Sequence, residues 1–141
     1  MSYEFFYSPN TTDAHPAFDR EVLLLRPDGV KLHWLTDGAH ERTGLSPANE
    51  SPLKSATKTE KLPLKNNDWN QMRLTLRGNS VTLELNGTKV AEHQLSAGNE
   101  RTFGLFHFQE QTDLRVRKVA YRGEWGEKLP VIGEQELAKP E

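Results

Sequence analysis

Two short stretches of the chain concentrate the residues best suited to ligand chemistry. The stretch "HWLTDG" carries His33 and Asp37, and the loop after it adds His40; the stretch "HFQEQTD" carries His107 and Gln109. Imidazole, carboxylate and amide groups donate and accept hydrogen bonds in a plane, which suits them to the hydroxyl groups of a sugar. We therefore predict a ligand-binding site formed by His33, Asp37, His40, His107 and Gln109, in which each residue has a contact role.

The sequence offers no catalytic signature. Glycoside hydrolysis needs two carboxylates about 5–5.5 Å apart for retention or about 6.5–9.5 Å apart for inversion, and no strand shows acids at alternate positions. Glu84 is predicted to face Arg73 and Lys89 across its sheet, which makes it structural. Neither a G-x-S-x-G elbow nor a glycine-rich phosphate loop occurs. We predict no catalytic residue.

Metal and cofactor sites are also not indicated by residue spacing. None of the five histidines stands at H-x-H or H-x₃-H spacing, so a zinc site would need ligands from distant strands. The chain has no cysteine, which excludes disulfides, thiolate catalysis and cysteine metal sites. The sequence therefore predicts no metal ligand and no cofactor.

The composition is that of one globular domain. The chain has 141 residues, of which 35% are hydrophobic and 27% charged, and a net charge of -2 with both signs interspersed. Such a balance creates no field that would attract nucleic acid. No apolar run approaches the roughly 20 residues that span a bilayer. We therefore expect neither a nucleic-acid partner nor membrane insertion.

The localisation stays open. The start "MSYEFFYSPN" lacks the basic and apolar regions of a signal peptide. An intracellular protein would fit this, and so would a domain of a larger exported or cell-surface protein. Because the chain begins abruptly in a strand-like "YEFFY", we favour a domain cut from a longer chain, and its cellular location stays unassigned.

A three-stranded meander is predicted between residues 72 and 95. Asn86-Gly87 is typical of a two-residue type I′ turn, and Gly78-Asn79 marks the turn before it. Both turns give the same register, and a slip of one residue would turn the apolar face outward. A bulge or strand end is expected near Glu92-His93. The predicted inner face, in which Leu83 is opposite Val90, contains Met72, Leu74, Leu76, Val81, Leu83, Leu85 and Val90.

Further strands surround this meander. A Pro27-Asp28-Gly29 turn predicts a hairpin, with Trp34 in the core phase of its second strand. Strands are also expected at 101–108 and at 114–125, the latter with a bulge at Arg117-Lys118. Trp69 is interpreted as a cap of the sheet edge.

The remaining segments are polar. Residues 46–68 are predicted to be a long surface excursion with at most one short strand, around Lys61-Leu64. Residues 131–141 are predicted to be a flexible tail or linker that follows a domain over residues 1–130. Seven or eight short strands with turns between them indicate an all-β sandwich or barrel.

Two stretches resemble the second half of concanavalin A-like lectin/glucanase domains: "NDWNQMRLTLRGNSVTLELNGTKVAEHQL" and "FGLFHFQEQTDLRVRKVAYRGEW". The "PDGV…HWLTDG" hairpin is similar to that of a planctomycete domain family of unassigned function, and a bacterial keto-disaccharide hydrolase family is more distantly similar. The resemblance covers roughly residues 15 to 130 and implies an antiparallel two-sheet jelly-roll sandwich. On the family's pattern, calcium bound by loop oxygens such as Asp37, Asn49 or Asp113 stays open.

The fold hosts several functions, so three hypotheses follow. We predict a non-catalytic, lectin-like accessory module of a larger bacterial protein, with a carbohydrate as ligand and neighbouring domains as further partners. An enzyme of the keto-disaccharide hydrolase type is the alternative, and it would require an acid pair such as Asp37 with Glu110. A purely structural or protein-interaction module is the third, and it predicts no concave pocket.

Overall fold

A computed structural model describes residues 1–35, 50–53, 61–108 and 111–124. Within these ranges the chain forms strands and loops, without a helix. The strands are β1 Ser2–Tyr7, β2 His15–Phe18, β3 Glu21–Arg26, β4 Gly29–Trp34, β5 Glu50–Pro52, β6 Asp68–Arg77, β7 Ser80–Leu85, β8 Thr88–Gln94, β9 Phe103–Phe106 and β10 Val116–Ala120.

The strands form two five-stranded sheets that pack face to face. The first sheet has the order β10-β1-β6-β7-β8 and the second the order β5-β4-β3-β2-β9. Every strand pair within them is antiparallel. The predicted all-β, antiparallel two-sheet sandwich is therefore confirmed.

The core between the sheets draws on alternate residues of both, as the period-two side-chain alternation of strands requires. In β1 this phase buries Tyr3, Phe5 and Tyr7 and leaves Glu4 and Phe6 on the outer face. The buried core cluster contains Tyr3, Phe5, Tyr7, Ala14, Phe18, Leu23, Leu25, Val30, Met72, Leu74, Val81, Leu83, Leu85, Val90, Ala91 and Leu95.

The register of the meander is confirmed between β6 and β7. Met72 pairs with Leu85, and Leu74 pairs with Leu83. Asn86 and Gly87 have φ values of 50° and 82°, which are the two positive values that a type I′ turn requires. The turn residues thus fix which face of the meander enters the core.

The pairing of β7 with β8 differs from the prediction. Leu83 is opposite Ala91 and not Val90, because a bulge shifts the register between Leu83 and Glu84. The extra residue lets Val90 and Ala91 both be buried. The bulge therefore occurs before the predicted position at Glu92-His93. The predicted outer charge row is confirmed in register, since Glu84 is opposite both Arg73 and Lys89. Lys89 Nζ also lies 2.6 Å from Glu92 Oε2.

The predicted bulge in the last strand is confirmed. Ser2 is opposite Ala120 while Glu4 is opposite Arg117, so the register of β1 and β10 shifts between them. Lys118 has a φ of 53° at this point. A bulge and a lysine on an edge strand both discourage pairing with another chain.

The second sheet is covered on its outer face as well. The strand β3 buries residues of both phases: Leu23 and Leu25 face the first sheet, while Val22 and Leu24 belong to a second cluster. Partly buried Leu35, Phe106 and Phe108 pack against that second cluster. As a consequence, β3 reads in the sequence as a continuous apolar run and not as an alternating one.

Two predictions for the hairpin and the excursion need correction. Trp34 has the core phase but lies at the end of β4 and is 39% exposed. Lys61-Leu64 forms no strand; instead Leu62 donates its backbone N–H to Pro27 O, and Leu64 packs against the core. The short strand of the excursion is β5, which pairs with β4.

Candidate functional site

Of the five predicted ligand contacts, the structure describes His33 and His107, and His33 lies on the outer face of the second sheet. His33 lies in β4 with an exposed fraction of 0%, and its ring centroid is 5.6 Å from that of Phe106. His107 follows β9 and is half-buried. Asp37, His40 and Gln109 lie outside the described residues, as do Glu110 and Asn49. The five-residue site therefore stays a prediction.

A series of polar contacts leads from His107 to the buried His15. His107 Nδ1 lies 2.8 Å from Thr112 O, and the Thr112 hydroxyl donates to Asp13 Oδ1 at 2.9 Å. Asp13 Oδ2 lies 3.2 Å from Nε2 of the buried His15, an ion-pair distance. Burial raises the pKa of Asp13, but His15 and Thr112 outweigh this effect, and the pKa lies below its ordinary value.

His15 cannot act as a general base in this arrangement. Its Nδ1 accepts a hydrogen bond from the backbone N–H of Leu25 at 3.0 Å. The ring proton is therefore on Nε2, which faces Asp13. Both nitrogens face protein groups, and none is left for a substrate proton. These polar contacts join β2, β3 and the 112–113 loop, so their role is structural.

A second polar cluster joins the two sheets. Oε2 of the buried Glu21 in β3 lies 2.6 Å from Nε2 of His93 in β8. Its Oε1 accepts from Ser96 N at 2.9 Å, from Ser96 Oγ at 2.7 Å and from Asn99 Nδ2 at 3.0 Å. In a catalytic triad the imidazole lies between acid and nucleophile, whereas here the carboxylate is central. The cluster is therefore a structural tie between the sheets.

The outer face of the first sheet presents an aromatic surface. Phe6 in β1 is opposite Trp69 in β6, and their rings meet edge to face at 5.7 Å. The Arg117 guanidinium lies 3.9 Å from the Trp69 ring centroid, and that of Arg115 lies 4.5 Å from the Phe6 centroid. Both rings are half-buried, so each keeps part of its surface exposed. We call these four residues the aromatic platform.

A depression of about 410 Å³ adjoins the aromatic platform. Glu4 Oε2 accepts a hydrogen bond from Arg117 Nε at 2.7 Å, which fixes the guanidinium over Trp69. The other groups that line the depression are carboxylate, amide and ammonium groups. Its lining residues are Glu4, Lys65, Asp68, Trp69, Gln71, Asn86 and Arg117.

Asn86, which lines the depression, is hydrogen-bonded to the buried Asn70 behind it. Asn70 is fully buried, and its Oδ1 accepts from Lys65 N and from Asn86 Nδ2, both at 2.8 Å. Asn86 Nδ2 also donates to Pro63 O at 2.8 Å, and its Oδ1 accepts from Gln71 N. The turn residue of the meander thus holds the 63–65 segment against β6, which positions Lys65 at the depression.

The sequence prediction did not find the aromatic platform. Trp69 was expected to cap the sheet edge, whereas it lies within β6 on the outer face. The signal was present in the register: with Met72 and Leu74 inward, Gln71 and Trp69 must point outward. The partner Phe6 comes from β1 and Arg115 directly precedes β10, and the sequence did not specify the neighbours of these strands.

A larger depression, of about 540 Å³, lies at one end of the sandwich, between Phe18 and Phe103 on one side and Leu74 and Leu76 on the other. It extends to Glu124, the last described residue. Its lining is mainly apolar. Polar groups make up a smaller share of its lining than of the lining of the depression beside Trp69.

Within the described ranges, no three His, Asp or Glu side chains are grouped so that they could hold a metal ion. Asp113, one of the loop acids considered for calcium, is described; its backbone N–H donates to Thr11 O at 2.8 Å. The same ranges contain no helix of the length and apolarity that crossing a membrane requires.

The comparison with protein families identifies a match over residues 1–128, which is most of the chain. The chain belongs to the DUF1583_N family, a domain of unknown function. This agrees with the resemblance to a domain family of unassigned function. No curated protein and no solved structure matches the chain significantly. The boundary of this DUF1583_N domain at residue 130 stays a prediction.

Proposed function

We propose that this DUF1583_N domain is a non-catalytic carbohydrate-binding module of a larger protein, and that it binds sugar at the aromatic platform. The observation that supports this most is the half-buried Phe6–Trp69 pair beside a depression lined by planar polar groups. A sugar packs its apolar C–H groups against the part of an aromatic ring that stays exposed, while amides, carboxylates and guanidinium groups bind its hydroxyls. Trp69 lines the depression beside the Arg117 guanidinium that covers part of its ring, and Gln71 and Asp68 line it as well, which supports this mode of binding.

The same proposal includes the relationship to concanavalin A-like domains and the choice between a binding module and its two alternatives. A sandwich of two five-stranded antiparallel sheets suits a concanavalin A-like domain of jelly-roll type. The depression beside Trp69 favours a binding module over a purely structural one, which would need no concavity. The described histidine and carboxylate clusters are committed to protein groups, which favours binding over a hydrolase of the keto-disaccharide type.

Replacing Trp69 by Ala is expected to weaken glycan binding by at least about thirtyfold, because an aromatic side chain at the centre of a binding site carries a large share of the binding energy. The measurement is a glycan-array screen of the purified domain, followed by calorimetric titration with the glycans that bind. The screen is run with calcium and again with a chelator, which also tests the open calcium question.

The matched control is Trp34→Ala, which removes a partly exposed tryptophan from the second sheet. It should leave the affinity unchanged while both variants keep wild-type circular dichroism. If Trp34→Ala or His33→Ala abolishes binding and Trp69→Ala does not, the site lies around His33, one of the contacts that the sequence predicted. A blank array for the wild-type domain would contradict carbohydrate binding altogether.

A further inference from the structure

The two guanidinium groups of the aromatic platform are held in place, and they keep N–H donors that no described acceptor engages. Arg117 is fixed by its stack on Trp69 and by the bond from Nε to Glu4. In the described parts of the chain, no acceptor engages the Nη atoms of Arg117, and none engages the Arg115 guanidinium above Phe6. Ordered donors that face solvent are suited to a ligand that carries acceptors.

The local charge favours an anionic ligand. Glu4 is neutralised from two sides, since Arg117 Nε and Lys118 Nζ bind its two oxygens at 2.7 and 3.0 Å. Asp68 Oδ1 accepts a hydrogen bond from Trp69 N. Lys65 and Arg115 add positive charge that neither acid compensates in an ion pair. This cationic surface belongs to a chain whose net charge is -2, so the positive charge is a local feature.

We propose that the sugar bound at the aromatic platform carries an anionic group, a carboxylate or a sulfate ester, that Arg115 and Arg117 bind. This inference rests on the proposed carbohydrate function and narrows its ligand class. A planar guanidinium pairs with two oxygens of one oxyanion, which gives a bidentate contact of defined geometry. The aromatic rings beneath hold the guanidinium groups of Arg115 and Arg117 at 4.5 and 3.9 Å from a ring centroid, and the adjacent depression accommodates the sugar that carries the anion.

The test uses polysaccharides in pairs that share a backbone and differ in charge. Methyl-esterified polygalacturonate is compared with the free uronate, and dextran with dextran sulfate, by calorimetric titration of the purified domain. We expect the charged member of at least one pair to bind about tenfold to a hundredfold more tightly than its neutral partner. The pair that shows the preference distinguishes a carboxylate from a sulfate ester.

The double variant Arg115→Gln/Arg117→Gln should reduce the affinity for the charged polymer to that for the neutral one. Arg77→Gln is the matched control: Arg77 lies on the same face of β6, eight residues from Trp69 and so about 26 Å away. It should leave the preference intact. Both variants are checked for folding by urea unfolding.

The outcomes separate the two proposals. If no polysaccharide binds, the carbohydrate function itself fails. If neutral and charged polymers bind with equal affinity, and Trp69→Ala abolishes both, the function stands and the anionic ligand is excluded. Polyglutamate serves as a polyanion without sugar; if it binds as tightly as the charged polysaccharides, the preference is for charge alone and the inference is overturned.

Discussion

Replacing Glu21 by Gln is expected to lower the free energy of unfolding by about 3 kcal/mol at pH 7. The carboxylate is buried at the junction of the two sheets, where His93, Ser96 and Asn99 all bind it. A glutamine keeps the shape of the side chain but loses the charge and presents an amide N–H₂ group where oxygen is required. At least one of the buried groups then loses its partner.

The effect should depend on pH with a definite sign. Burial raises the pKa of Glu21, but the hydrogen bonds from His93, Ser96 and Asn99 outweigh it and hold the pKa below its ordinary value. A carboxylate whose pKa is lower in the folded state stabilises the protein above its unfolded pKa and loses this contribution as the pH falls through the folded value. The difference between wild type and Glu21→Gln should therefore be largest above about pH 5 and shrink below it.

Urea unfolding at several pH values between neutral and strongly acidic measures this difference. Glu100→Gln is the control, since Glu100 is exposed in the same loop region and should change the stability by less than about 0.5 kcal/mol. A Glu21→Gln variant as stable as wild type, or a difference that stays constant with pH, would show that the carboxylate does not tie the sheets together.

Replacing Asn70 by Ala is expected to destabilise the domain by about 3 kcal/mol, because the variant loses the four hydrogen bonds of a fully buried amide. The side chain binds Lys65 N, Lys65 O and Asp68 O, and it accepts a hydrogen bond from Asn86. Thermal or urea unfolding gives the size of the loss. A loss below about 0.5 kcal/mol would mean that solvent replaces these bonds.

The variant Asn86→Gly measures how much the Asn86 side chain contributes to the free energy of unfolding. Glycine tolerates the positive φ of the turn, so the variant removes only the bonds to Asn70, Pro63 and Gln71. We expect a loss of about 1–2 kcal/mol. Asn79→Gly is the matched control: it changes the asparagine of the neighbouring turn, whose side chain makes no such bonds, and should cost less. Equal losses would assign the effect to the backbone instead.

Part of the candidate site could have been derived from the sequence. The meander register places Trp69 and Gln71 on the outer face once Met72 and Leu74 face inward. The bulge at Arg117-Lys118 also followed from a change of phase in the last strand. The predicted contacts in "HWLTDG" and "HFQEQTD" were chosen for residue type alone, and the structure buries His33 against Phe106.

The sequence by itself determined the fold class, the turns and the inward face of the meander, because these depend on the period of two along a strand and on the φ values that Asn and Gly adopt. Only the tertiary structure decided that β1 lies between β6 and β10, which brings Phe6 beside Trp69 and Arg115. It also decided that Glu21 meets His93, 72 residues away. Alternation specifies which face a residue occupies, but the neighbour across the sheet is selected by backbone pairing between distant segments.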